Sequence, residues 1–352
     1  MVLQAGTTGS LLASNNINVN NVSAAQNLSL FATGDSSGAG TGTAIQVGGT
    51  SSVAGTITAS GFNAANQFSA TNGNIDITLA SGNLTTALAW GGNGDNITLT
   101  ANNGSILQNF AQYGYNGKTI YAANGGDVSL TALGGVGSYI STGVNALGAG
   151  SDLLARASGQ NAGVSVQLFG RVDGNLTTHH TSGAGTALTG GVNLGTGIGA
   201  PLNLNDVYTV EDVMGSTSVR ALGAVNLYGS FWGPVSVLNS SSITAVVDKG
   251  PLNISTAQST GAISLTSLMG RITGTNVNSS GGGNIFLQAG SQTPRDKMAY
   301  ISIANLTTTG NLTADAWGST TGNSTGSAIS ITGSVSGSKT TSTHVGGSVS
   351  VP

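Results

Sequence analysis

The sequence predicts an all-β chain wound as a parallel β-solenoid, with coils of about 20 residues and one or two loop insertions. Three observations predict it. Short stretches alternate apolar and polar residues, a glycine stands two places before the first apolar one, and the unit recurs in a single phase along most of the 352 residues. Strict alternation marks a strand with one buried face, because successive side chains leave a strand on opposite sides.

Gly250 to Gln288 carries the clearest copies. Gly250 precedes Leu252 and Ile254, Gly261 precedes Ile263 and Leu265, and Gly283 precedes Ile285 and Leu287. Gly270 starts a shorter copy at Ile272. The full unit also occurs at Gly73, Gly126, Gly190, Gly223, Gly233 and Gly347, with glycine-free copies at Ala162 and Ser327. Taken in order, residues 1–70 read as irregular coils and 73–140 as regular ones. Residues 141–222 read as irregular coils with an insertion at 195–218, and 223–352 as regular coils of the same single solenoid. Neighbouring strands start about 10 residues apart, and longer steps of about 22 separate Gly104 from Gly126 and Gly261 from Gly283. A coil of two or three short strands accounts for both spacings.

A sandwich would also give short strands, but its hairpins favour Asn-Gly or Asp-Gly turns between matched runs. Here each repeat runs in one direction. Parallel stacking then sets like on like, with aliphatic residues inside and Thr, Ser and Asn ladders outside. Glycines at the corners permit bends with positive φ.

Charged residues make up only 6% of the chain and glycine contributes 57 residues, a composition that polar disordered tracts share. Against disorder, 38% of residues are hydrophobic and sit in phase. A net charge of −3 supplies no electrostatic footprint for nucleic acid. No apolar run reaches the length of about 18 residues that a membrane-spanning helix needs. With no cysteine, disulfide scaffolds and cysteine-based metal or nucleophilic sites are excluded. The first residues lack the charged and apolar regions of a secretory signal.

Few residues suggest chemistry. His179 and His180 are adjacent, so on a strand they face opposite sides, whereas metal ligands must converge. Asp206, Glu211 and Asp212 lie together in the insertion, but polysaccharide-cleaving sites need several acids on one face. No catalytic residue, cofactor or metal ligand is assigned. The possible partner contacts are Tyr113 and Tyr115 in the aromatic segment Gln108 to Tyr121, Trp90, and the acids Asp206, Glu211 and Asp212. Insertions in solenoids collect on one face and often carry recognition. Asn-x-Ser/Thr triplets at Asn83, Asn96, Asn175, Asn253, Asn305 and Asn311 follow largely from the abundance of these residues.

The strings GNIDITLASGNLTT, DNITLTANNGSILQ, GDVSLTALGG and GAISLTSLMGRIT resemble the haemagglutinin-type repeats of the filamentous haemagglutinin family, which comprises bacterial two-partner-secreted adhesins. Autotransporter passengers are similar. The likeness runs from about residue 73 to the C-terminus. It implies a right-handed β-helix, exported to the cell surface, that works in adhesion or as a filament. The chain lacks the Asn-Pro motifs of that family's secretion domain, so a fragment, a matured piece or a stacking subunit is expected. Val349 and Val351 continue the alternation, which points to self-association or to continuation through the terminal coils. Surface glycans or receptors are the other expected partners. The alternative function is binding or cleavage of polysaccharide.

Overall fold

A computed structural model describes residues 1–5, 16–20, 22–26, 28–32, 45–48, 52–53, 57–61, 64–70, 74–79, 83–91, 94–108, 120–135, 137–179, 188, 191–194, 212–291, 298–318, 326–336, 340–344 and 348–350. The chain divides into two compact units, Met1–Leu188 with Thr196–Thr209, and Thr189–Gly195 with Val210–Pro352. Each is built from strands that pair in parallel with the equivalent strand of the next coil, the arrangement of a β-solenoid.

In the first unit one ladder runs through Ile57–Gly61, Ile75–Leu79, Ile97–Ala101, Val128–Ala132, Leu153–Ala157 and Leu176–His179. Like faces like: Ile75 opposes Ile97, and Ile97 opposes Val128. The inward residues Ile75, Ile97, Val128 and Leu153 are at most 2% exposed, and the strands show the buried–intermediate alternation that period two demands. A second ladder runs through Ala64–Ala70, Leu84–Gly91, Ile140–Ala146 and Val164–Val172. Between Leu84–Gly91 and Ile140–Ala146 two short strands, Ile106–Gln108 and Ile120–Ala122, share one coil's place and pair with both neighbours. The aromatic segment thus interrupts one strand and returns to it.

In the second unit the first ladder comprises Thr217–Arg220, Val235–Ser240, Leu252–Ser259, Ile272–Ser279, Ile301–Thr308 and Ser327–Val335. The second comprises Ala224–Phe231, Ser242–Val247, Ile263–Ser267, Ile285–Ala289 and Leu312–Ala316. Here too an insertion splits a strand, since Gly191–Leu194 and Asp212–Val213 both pair with Ala224–Phe231. Ile254, Leu265 and Leu287 are 3%, 0% and 0% exposed. Coil length varies around the expected 20, from 17 residues between Val53 and Ala70 to 34 between Ile106 and Ile140. The longer coil is the one that carries the aromatic segment.

Two local devices differ from the expected ones. The glycines that precede the strands are selected by close approach between coils. A Cβ on Gly126, Gly261 or Gly283 would lie 2.1, 2.3 and 2.2 Å from backbone atoms of the preceding coil. Gly250 is the one of the four with positive φ, at 82°. The second device is an Asx column. Backbone N–H groups of Asn96, Asp127, Asp152 and Asn175 donate to the side-chain oxygens of Asn74, Asn96, Asp127 and Asp152, at 2.9, 2.9, 2.9 and 2.7 Å. These residues stand immediately before the strands, where the ladder has not yet begun and an amide would otherwise lack a partner. The column runs on through residues 141–179, where Asp152 and Asn175 stand before Leu153–Ala157 and Leu176–His179. Replacing Asn96 by Ala should lower stability in urea by about 1 kcal/mol, the net value of one such bond, with Asn96→Asp retaining most of it. Equal stability of all three chains would contradict the role.

Polar ladders also lie inside. Ser240, Ser259, Ser279 and Thr308 oppose one another in consecutive coils and are at most 1% exposed. Ser259 donates to the Ser240 carbonyl at 3.2 Å, Ser279 to that of Gly261 at 2.8 Å and Thr308 to that of Gly283 at 2.9 Å. Gly261 and Gly310 donate back to Ser259 and Thr308. The expectation of hydroxyls outside is corrected for this column. A buried hydroxyl is tolerated where a backbone partner is within reach, and the corner of each coil supplies one.

Candidate functional site

The outer face of the first ladder in the second unit carries a shaped surface feature. Leu252–Ser259, Ile272–Ser279 and Ile301–Thr308 each break the alternation with two successive residues that are not buried, Ser255–Thr256, Thr275–Asn276 and Ala304–Asn305. Pairing shifts between Val235 and Ser236 against Ile254 and Thr256. It shifts again between Ile303 and Leu306 against Ile331 and Gly333. Between the three strands themselves pairing stays in step, with Ile254 opposite Gly274 and Gly274 opposite Ile303. Three consecutive coils therefore bulge in the same column, at Ser255, Thr275 and Ala304. A bulge bends its strand and re-aims the side chains beside it. Three in a row bend the whole face.

The result is a trough of about 510 Å³ bounded by Pro234 at one end and by Ser330 and Thr332 at the other. Its outward residues form two columns, Asn253, Thr273, Ser302 and Ser330, and Ser255, Thr275, Ala304 and Thr332. Gly274 lies between them, and a Cβ there would stand 2.7 Å from Cδ1 of Ile303, which would have to turn aside. Every lining residue is uncharged.

Some of the trough's polar groups are already engaged. Thr273 donates to Asn253 Oδ1 at 2.7 Å, Ser255 to the Val235 carbonyl at 3.0 Å, and Thr332 to the Ala304 carbonyl. The hydroxyls of Thr275, Ser302 and Ser330 have no hydrogen-bond partner among the described residues. They face outward on neighbouring coils, a spacing of about 4.8 Å per coil.

Beside the trough the surface turns aromatic and apolar. Tyr300 and Ser302 project from the same side of their strand, and the Arg271 guanidinium of the preceding coil lies 6.0 Å from the centre of the Tyr300 ring. One turn corner further out stand Met214, Trp232, Met269 and Met298, 43, 45, 60 and 46% exposed. All precede strands of the same ladder by the same number of places. Lys249 occupies the equivalent place before Leu252.

Little of this was singled out by residue type. Trp90 lies on Leu84–Gly91, where it pairs with Tyr121, but the placement of its side chain is outside the described residues. Asp212 begins the two-residue strand Asp212–Val213, with its side chain likewise outside them. Tyr113, Tyr115, Asp206, Glu211 and His180 lie outside the described residues altogether. His179 ends the strand Leu176–His179 opposite Arg156. Among the Asn-x-Ser/Thr asparagines, Asn83 and Asn96 accept from backbone amides one coil on, and the Asn175 side-chain amide donates to Asp152 at 3.1 Å. The described residues hold no group of three or more His, Asp or Glu able to bind a metal ion. No helix among them is long and apolar enough to cross a membrane.

No protein-family model, curated protein or solved structure matches this chain.

Proposed function

We propose that this chain is a structural and adhesive β-solenoid of the extracellular surface, part of an adhesin or filament, that binds its target without turning it over. The observation that carries the reading is the trough on Leu252–Ser259, Ile272–Ser279 and Ile301–Thr308. It is a shaped, outward-facing site whose whole lining is neutral. Hydrolysis or elimination at a glycosidic bond needs positioned acids or bases, and the trough offers hydroxyl, amide and apolar groups in their place. The likeness of the repeats to filamentous haemagglutinin-type sequences supports the surface role, and the parallel ladders support a scaffold that displays the site. Self-association through terminal coils belongs to the same reading, since unpaired strand edges invite pairing with another chain.

Purified protein coupled to beads should retain the beads on glycan-bearing cell surfaces, while a panel of polysaccharides incubated with it yields no new reducing ends or unsaturated products. Release of such products, or beads that wash off every surface, would contradict the proposal.

A further inference from the structure

We infer that the trough across Leu252–Ser259, Ile272–Ser279 and Ile301–Thr308 binds a linear, uncharged glycan lying across the coils. The inference rests on the adhesive reading and names the ligand class and the residues that would hold it. Four features select this ligand. The lining itself has no charge and Arg271 at the rim is turned to the Tyr300 ring, so the floor offers no cation to an anionic polysaccharide or an acidic peptide. Its unengaged groups are the hydroxyls of Thr275, Ser302 and Ser330, each able to donate once and accept twice, which matches a partner that itself carries donors and acceptors at every unit. Those groups repeat from coil to coil, as the hydroxyls of a polysaccharide repeat along its chain. Tyr300, held against Arg271, supplies at the rim an aromatic surface for the apolar face of a sugar ring.

An extended peptide fits less well. Peptides that join a sheet do so at an unpaired edge, and here the flanking strands already pair on both sides. A second copy of the chain would need an apolar interface core, whereas the trough's outward columns are mostly hydroxyl and amide. The trough is open and shallow, and its contacts are single hydrogen bonds worth about 1 kcal/mol each. Useful affinity therefore requires a chain that reaches several coils. From the strand at Pro234 to that at Ser330 there are four coil steps, roughly 19 Å at 4.8 Å per coil.

The test is affinity electrophoresis of the full chain in gels containing neutral mannan, β-glucan or galactan, against gels containing polygalacturonate or heparin. The chain should be retarded by at least one neutral polysaccharide and by neither anionic one. Ala304→Trp, which fills the trough, should weaken that binding at least about tenfold. The pair Ser302→Ala and Ser330→Ala, which removes two unengaged hydroxyls at exposed or half-buried positions, should weaken it several-fold. Leu222→Ser, on an exposed side chain away from the trough, should leave it unchanged. Far-UV circular dichroism reports whether each variant folds, and the double alanine chain serves if Ala304→Trp does not. Retardation that both trough variants leave intact overturns the inference while the adhesive reading stands. So does retardation by the anionic polysaccharides alone. Retardation by none of them also overturns it, and the bead assay then judges adhesion separately. A dimer seen in sedimentation that Ala304→Trp abolishes would assign the trough to a second copy and overturn it as well.

Discussion

Leu265→Ala is expected to lower the stability of the second unit by about 2–5 kcal/mol, the usual cost of truncating a fully buried leucine and leaving a cavity. Leu265 is 0% exposed and sits in register between Ala245 of one coil and Leu287 of the next. Its only neighbours above and below are those two coils, so truncation opens a void in the stack that neither can close without leaving its own ladder. The measurement is the urea midpoint followed by tryptophan fluorescence, with Thr313→Ala on the outer face as the comparison. That change should shift the midpoint little, because surface substitutions away from special features stay within about 0.5 kcal/mol. Equal shifts for the two would contradict an interior built from the alternate residues.

Gly283→Ala should be costlier than its single methyl group suggests. The added Cβ would lie 2.2 Å from the Gly261 carbonyl carbon and 2.4 Å from both the Ala262 nitrogen and the Gly261 oxygen. All three are backbone atoms, which cannot swing aside as a side chain would. The coils must separate locally, and the bond from Ile263 to the Asn284 carbonyl at 3.0 Å lies at the point of separation. Overpacking of a fitted interior costs about 1–3 kcal/mol and occasionally more. The loss should appear in the same urea experiment, together with faster amide exchange at Ile263. A chain as stable as the original would show that the spacing between coils is not set by these glycines.

The strands were legible because their signal is local. Two-residue alternation assigns Leu252 and Ile254, or Ile285 and Leu287, to the interior without any knowledge of the neighbouring coil. What escaped depends on neighbours. The Asx column was hidden by its own position: Asn74, Asn96 and Asp127 stand between a glycine or a turn and the first aliphatic residue, where an asparagine reads as ordinary turn chemistry. Only the pairing of coils shows that each side chain reaches the next amide. The inward Ser259, Ser279 and Thr308 follow the phase of buried positions, yet their hydroxyls argue for the surface until the corner carbonyls are in place. The trough was least legible. Ser255, Thr275 and Ala304 are common residue types that mark no bulge by themselves, and their alignment across three coils is a property of register. Residue chemistry instead drew attention to Tyr113, Tyr115 and Glu211, rare side chains in loop segments.

The central claim is that successive coils stack in parallel with equivalent residues in register. Ser218, Ser236, Thr256, Asn276 and Asn305 form one such column in the second unit, and the absence of cysteine lets spin labels be placed pairwise without further changes. With one label at Ser218→Cys and the other at Thr256→Cys, Asn276→Cys or Asn305→Cys, electron-electron distances should rise in even steps. Backbone separations of about 10, 14 and 19 Å are expected at 4.8 Å per coil. Distances that fail to grow in that order, or that place Asn305 far beyond the fourth step from Ser218, would contradict the stacked arrangement on which the trough depends.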